Sequence, residues 1–565
     1  MTRALTRWAL PGGALVSLAL APAASGSAPW GTGLLLLGGA GGICYWMARR
    51  VLDDGVLAWL ALGGLMLRAA LSPVLYAISL ADLPILRQQQ FSSGFWTFAP
   101  DARHHHVLAL GILDAWRDGI ELPAGLEGGW YFLIVAAIYK AIGVHPLHGA
   151  WLNAAVGGFS ALLAFAIARR LGGIVAGRIG AGLVAFWPSL VLWSTQLLKE
   201  EMTVFLVLLA LYFSVALCDS AVRARQLQEP WARWRLLGLL FGASAATMAI
   251  AMARPLYALA LGFSALAVFG WSALVILRWR EASRSVAALT AGALMLSVAF
   301  IGQPLNPLYF FASSTPWEGH YARGVAHLER GNAGDAELEF IKVLDQRPGF
   351  RTAEEQLRAL VLQERAGPSR PGGGGDPGHA VSQQPPEGGP PTGGASALWW
   401  SSVELARRLA VDLRRFPETL SNMRIGLMPS AGHSPIDPDV RFSAFGDVLY
   451  YLPRSGAYFF LSPFPWQVFD TGGVAGVLKS ASILEPALVS VLLAFAAVGT
   501  WRLLRARNAG AYVLLLYLLI GSTALGLTMV GLGSLFRYRV PFLLVLFVLA
   551  GVGISSRWTQ AARPT

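Results

Sequence analysis

Long apolar runs separated by short polar turns fill most of the chain, and none of these runs alternates in polarity from one residue to the next. Roughly 17–25 apolar residues cross a bilayer as a helix, and about twelve such runs are present. They lie at 9–25, 31–48, 55–79, 148–168, 179–197, 202–219, 236–253, 257–277, 285–301, 483–499, 511–531 and 541–556. Strands of a membrane barrel would alternate, so the pattern predicts an all-α polytopic bundle. Trp130–Ile142 is apolar but too short to cross, which predicts an interfacial or re-entrant helix. Composition agrees: 55% of the 565 residues are hydrophobic and mean hydropathy is +0.53, values that exclude a soluble enzyme.

Basic residues orient the bundle, because short cytoplasmic loops retain Lys and Arg. Arg3 and Arg7, Arg49 and Arg50, Arg169, Arg170 and Arg178, Arg223, Arg225, Arg233 and Arg235, Arg278, Arg280 and Arg284, and Arg502, Arg505 and Arg507 form successive clusters. All fall on one side only if both termini are cytoplasmic and Trp130–Ile142 does not cross. The net charge of +12 then reflects orientation, and nucleic acid is not an expected partner. Loop 80–147, segment 302–482 and the turns at Lys199-Glu200-Glu201, Arg254 and Arg537-Tyr538-Arg539 become exoplasmic. Leu10–Leu20 followed by Ala21-Pro22-Ala23-Ala24-Ser25 fits a signal peptide as well as a first helix; an uncleaved helix is the reading taken. Cys44 and Cys218 both sit in apolar spans, so neither a disulfide framework nor a zinc site is expected.

Texture divides the chain further. Residues 1–54 hold two N-terminal helices, and 55–301 form a membrane core with the loop 80–147. Residues 302–365 are an exoplasmic helical segment, 366–396 a Pro/Gly-rich linker expected to be disordered, 397–482 exoplasmic and interfacial helices, and 483–565 the C-terminal spans. Within 317–350, Tyr321, Gly324, Leu328, Gly331, Ala336, Phe340, Leu344 and Pro348 fall where a tetratricopeptide unit places its small, large and helix-ending residues. One such unit cannot bury its own faces, so 317–365 is expected to pack on neighbouring helices or on a protein partner. The aromatic stretch Phe442–Gly473 suits a membrane interface facing lipid.

Chemistry concentrates in the loop from Asp82 to Gly128. It reads Phe98-Ala99-Pro100-Asp101-Ala102-Arg103-His104-His105-His106, then Asp114, Arg117, Asp118, Glu121 and Glu127. Only 13% of the chain is charged, so this gathering at a membrane face points to a ligand held at the bilayer surface. Asp101 suits a general base or, equally in local terms, an N-cap for the helix that follows. Asp82 is the second candidate. Glu200 and Lys199 end a span. Arg254, Arg537 and Arg539 lie at the exoplasmic side, where burying a charge costs about 2.5–3.5 kcal/mol at a span centre, and their planar forks suit phosphate oxygens. Adjacent histidines on a helix point in different directions and do not chelate one ion together, so no metal site is assigned. Arg68, near the middle of its span, must face protein or a cavity.

This arrangement resembles the GT-C class of membrane glycosyltransferases. The resemblance rests on a span, a loop with an early Asp, the interfacial helix Trp130-Tyr131-Phe132…Tyr139-Lys140-Ala141-Ile142-Gly143, and a span ending Ala168-Arg169-Arg170-Leu171-Gly172. The following span, with Trp187-Pro188-Ser189, Trp193-Ser194 and Leu198-Lys199-Glu200-Glu201, looks like an acidic second motif of that class, and Gly531–Pro541 like a C-terminal feature of its bacterial members. Protein O-mannosyltransferases, the bacterial lipid A aminoarabinose transferase and glycosyltransferase family 39 belong to this group. The resemblance implies a GT-C-like bundle in a bacterial inner membrane with periplasmic catalytic loops. It implies transfer with inversion from a polyprenyl-phosphate or -pyrophosphate sugar to a lipid, glycan or protein acceptor. Asp101 would be the base, and Arg103, His104, Lys199, Glu200, Arg254, Arg537 and Arg539 would bind substrate. No cofactor is required, although a divalent cation (Mg²⁺ or Mn²⁺) is compatible. Two features depart from the pattern: Asp101 is followed by Ala102 and three histidines rather than by Glu, and two extra spans precede the usual first helix. An envelope polysaccharide polymerase or ligase, and a non-enzymatic scaffold working through 317–365, are the alternative readings.

Overall fold

Helix boundaries follow caps and prolines. α1 (Trp30–Trp46) runs into a π-helical turn at Met47–Val51, and Asp54 then caps α2 (Gly55–Leu80), its carboxylate accepting from Leu57 N–H at 2.8 Å. α3 (Pro100–Asp118) and α4 (Trp130–Ile142) follow, then α5 (Pro146–Phe186), opened by Pro146 behind the N-cap His145. Pro188 separates α5 from α6 (Pro188–Ser194), after which come α7 (Glu200–Ala224) and α8 (Ala232–Ala253). α9 (Ala333–Gln346) and α10 (Phe445–Leu461) precede the last four, α11 (Leu484–Arg505), α12 (Ala509–Thr528), α13 (Leu532–Tyr538) and α14 (Val540–Ala561). This computed structural model describes residues 30–91, 93–118, 130–224, 232–253, 257, 260–262, 264, 320–321, 324, 327–328, 333–346, 354–360, 416–428, 434–464 and 484–561. Among these residues the chain is all-α, with two isolated β-bridges and no strand.

Six helices are long and apolar enough to cross a membrane: Gly31–Val51, Gly55–Leu80, Pro146–Phe186, Glu200–Ser220, Leu484–Arg505 and Ala509–Thr528. α13 and α14, bent by 51° between Tyr538 and Val540, qualify together as a seventh. The chain is therefore an α-helical membrane protein of several spans. The expected run 9–25 lies outside the described residues, as do 285–301 and most of 257–277. Trp130–Ile142 is a separate short helix with the bounds expected for it.

The two helices expected at 148–168 and 179–197 are present as the two arms of α5, which turns back at Gly173, whose φ of 83° belongs to the left-handed region. Gly157 and Ala185 would stand about 42 Å apart on a straight helix. Yet Arg68 bonds the Ala185 carbonyl while lying where a Gly157 Cβ would sit, and Gly180 packs on Ala168. The second arm stops at Phe186 rather than 197, because Pro188 has no N–H to donate and disfavours helix at Trp187.

The hairpin sorts charge between the two ends of the bundle. At one end Arg178 pairs with Asp54 at 3.0 Å, Arg169 bonds the Leu52 carbonyl, and Arg170 meets Asp219 at 3.5 Å. The loop bearing α3 and α4, and the turn 195–199, lie at the opposite end. α14 runs through the core, with every residue from Phe542 to Ala550 almost fully buried. It crosses α11 closely: a Cβ on Gly499 would stand 2.1 Å from the Leu549 carbonyl, and one on Gly553 1.9 Å from that of Phe495.

Two compact units divide the chain: one comprises Met1–Gln303, Ser430–Ile436 and Leu452–Thr565, the other Pro304–Pro429 and Asp437–Tyr451. In the second, Ala336, Phe340, Val343 and Leu360 share a small core and Gly324 rests against the Phe340 ring. Arg424, fully buried in the same unit, donates to the Asp437 carbonyl at 3.0 Å. The linker 366–396 lies outside the described residues.

Candidate functional site

α3 is amphipathic, and that splits the histidine triplet. Ala102, His105, Ala109, Ile112 and Leu113 face inward, while Arg103, His104, Val107 and Gly111 face out. Asp101 occupies the first turn of α3, and its Oδ2 lies 2.7 Å from Nη1 of Arg537. Arg537 also donates through Nε to Glu200 Oε1 at 2.6 Å, and Nη2 stands at the same distance from that oxygen. One guanidinium thus joins the start of α3, the start of α7 and the end of α13. Its side chain and that of Glu200 are nearly buried (12% and 11% exposed), whereas Asp101 is 46% exposed.

Glu200 owes its place to the turn before it. Asn153, buried in the first arm of α5, donates from Nδ2 to the carbonyls of Gln196 (2.9 Å) and Leu198 (2.8 Å). His105 holds the same turn from the α3 side, its Nδ1 lying 2.7 Å from the Leu197 carbonyl. Since a carbonyl only accepts, Nδ1 carries the proton there. Burial against Tyr131 and Phe132 pushes the His105 pKa down to about 4, so the ring is neutral at physiological pH. His106 meets the Tyr139 hydroxyl at 2.8 Å, and burial lowers its pKa too. Beside the carboxylates, Trp193, Glu200, Glu201, Thr203, Tyr257 and Arg537 line a cavity of about 10 Å³, close to the room one water needs.

Of the residues expected at the site, the fold brings together Asp101, Glu200 and Arg537, with Lys199 in the adjoining turn. Arg539 does not join them. It is fully buried on the other side of the bend, donating to the carbonyls of Phe459 (3.2 Å) and Ser462 (2.6 Å) and facing Glu485 at 3.5 Å. Arg103 and His104 lie on the exposed face of α3. Asp82, the second candidate base, pairs with Arg87 at the surface. Arg254 lies outside the described residues. The sequence assigns no role to His105, Asn153 or Tyr131; the helical period of α3 carries the signal for His105, whereas no spacing points to Asn153. Among the described residues no three His, Cys, Asp or Glu side chains group as a metal-ligand set. No protein-family model matches the sequence, and no curated protein matches it.

Proposed function

We propose that this protein is a GT-C-like membrane glycosyltransferase, moving a sugar from a polyprenyl-phosphate carrier to an acceptor hydroxyl at the exoplasmic face of a bacterial inner membrane. One observation carries the reading: Arg537 holds Asp101 and Glu200 together at the end of the bundle opposite the arginine clusters. Three charged groups from remote parts of the sequence converge where a lipid-borne anion would arrive. A guanidinium fork that grips carboxylate oxygens suits phosphate oxygens as well.

The charges suggest a sequence of events. Two carboxylates face one arginine, so an incoming phosphate competes with Asp101 for Arg537 and releases that half-exposed carboxylate. Asp101 then takes the proton of the acceptor hydroxyl as its oxygen bonds to the anomeric carbon. The bond from that carbon to the phosphate oxygen breaks with inversion, and polyprenyl phosphate departs with the electron pair, stabilised by Arg537. Glu200 keeps its hold on Nε and aims the fork throughout.

The test is purified protein in lipid nanodiscs, incubated with a panel of undecaprenyl-phosphate and -pyrophosphate sugars and an outer-envelope lipid fraction as acceptor. Release of the lipid phosphate by wild type and its loss in Asp101→Asn is the expected result. No release from any donor by either protein defeats the proposal.

A further inference from the structure

Arg68 lies within the membrane-spanning helix α2 with no exposed surface at all. Its guanidinium reaches three elements. Nη1 donates to the Ala185 carbonyl at 2.5 Å and to Gly64 at 3.2 Å, and Nη2 donates to Val184 at 3.0 Å. Pro188 explains the need: it has no N–H for the Val184 carbonyl, and the turn at Trp187 ends the helix before Ala185 finds its own donor. The same Nη2 faces Glu201 Oε1 at 3.9 Å, and Glu201 is only 2% exposed. Gly157 makes the room, since a Cβ there would stand 2.8 Å from both Arg68 Nε and Glu201 Oε1.

We propose that Arg68 and Glu201 are positioning residues for the neighbouring Glu200–Arg537–Asp101 site, a role that rests on reading that site as a polyprenyl-phosphate sugar transferase. Glu201 is the next residue after Glu200 in the first turn of α7, so its side chain points about a hundred degrees round the helix from it. While Glu200 turns to Arg537, Glu201 turns to Arg68. The start of α7 therefore meets a guanidinium on each side, through a hydrogen bond at Glu200 and through an electrostatic contact at 3.9 Å at Glu201, and Arg68 is itself anchored in α2 and in the broken second arm of α5. Stability alone does not account for the pair, because a buried ion pair is often no better than apolar residues of the same volume. What an apolar filling lacks is direction: only the charged contact fixes the rotation of the first turn of α7, and with it the line from Glu200 to the Arg537 fork.

The experiment measures undecaprenyl-phosphate binding by native mass spectrometry alongside thermal unfolding, with wild type, Glu201→Gln, the double variant Arg68→Gln/Glu201→Gln, and Gly157→Ala. Glu201→Gln strands a buried arginine and lowers Tm. The double variant removes both charges and keeps amide donors for the freed carbonyls, so its Tm recovers towards wild type. Its affinity for undecaprenyl phosphate stays weaker by about tenfold, the scale of one impaired hydrogen bond to the ligand. Gly157→Ala, which displaces the pair without removing a charge, weakens binding in the same direction. Wild-type affinity in Gly157→Ala, or in a double variant with restored Tm, overturns the positioning role and leaves the transferase reading standing. A wild-type protein that neither binds undecaprenyl phosphate nor releases it from any sugar donor overturns both.

Discussion

Glu200 Oε1 accepts a hydrogen bond from Arg537 Nε at 2.6 Å across 337 residues of chain. The contact closes the bundle, because Glu200 opens α7 and Arg537 ends α13 just before the bend into the central helix α14. It also leaves one edge of the guanidinium for Asp101.

Removing the base is the sharpest test of chemistry. Asp101→Asn keeps the size of the side chain and an oxygen able to accept from Arg537, so Tm should change little. Transfer should fall by about 10²–10⁴, the usual worth of a general base, measured as lipid phosphate released per unit time.

Arg537→Gln should damage fold and function together. It leaves the Glu200 carboxylate nearly buried opposite an amide, and breaking a buried ion pair by removing one partner costs about 3–5 kcal/mol. Thermal unfolding should show a marked fall in Tm. Arg537→Lys should recover much of that stability but little transfer, since a point charge cannot bridge two carboxylates as a fork does.

Asn153→Leu tests the turn that delivers Glu200. Two carbonyls, Gln196 and Leu198, lose their donor in a buried setting, at about 1–3 kcal/mol for each unsatisfied group. Lower Tm and weaker undecaprenyl-phosphate binding are expected together. Unchanged binding would show that the turn keeps its shape without Asn153.

Acid should loosen this end of the molecule. The His105 pKa is depressed from 6.5 to about 4 by burial, so in the window between those values the unfolded chain binds a proton that the folded one does not. Its contribution is intact above pH 6.5 and is lost progressively as pH falls towards 4. His145, lowered to about 4 chiefly by burial, acts in the same window. Tm measured from pH 7.5 to 4.5 should therefore drop, and His105→Gln, which keeps a donor for Leu197, should flatten the drop.

Gly553→Val should fail in the membrane core. The new side chain begins within 1.9 Å of the Phe495 carbonyl, forcing α14 away from α11. Overpacking of this kind costs about 1–3 kcal/mol or more, read as reduced Tm and reduced yield of folded protein. The equivalent change at Gly533, where a Cβ meets nothing nearby, should be tolerated.

Much of this architecture was legible in one dimension. Apolar length alone marks α1, α2, α7, α11 and α12 as spans, because a helix in hydrocarbon must satisfy its own backbone within a fixed thickness. The short length of Trp130–Ile142 set it apart for the same reason. Asp101 stands out within the charged loop 80–147, and Glu200 and Arg537 as charges at the ends of apolar runs. Arg539 stood out equally, and sequence had no means of separating the two arginines: they are two residues apart, and a 51° bend between α13 and α14 sends one to Asp101 and Glu200 and the other to Glu485.

The sequence by itself determined the class of molecule, an α-helical membrane protein, and the short roster of polar residues that had to be justified within it. Those are consequences of composition and run length, which act locally and can be read without knowing any neighbour. Tertiary structure alone decided the partners. It turned α5 back at Gly173, put Asn153 beneath the 195–199 turn, gave Arg68 the carbonyls freed by Pro188, and divided Glu200 and Glu201 between two arginines. Such pairings depend on which helices pack together and at what rotation, and a rotation of about one residue moves a side chain a hundred degrees round its helix, from one partner to another.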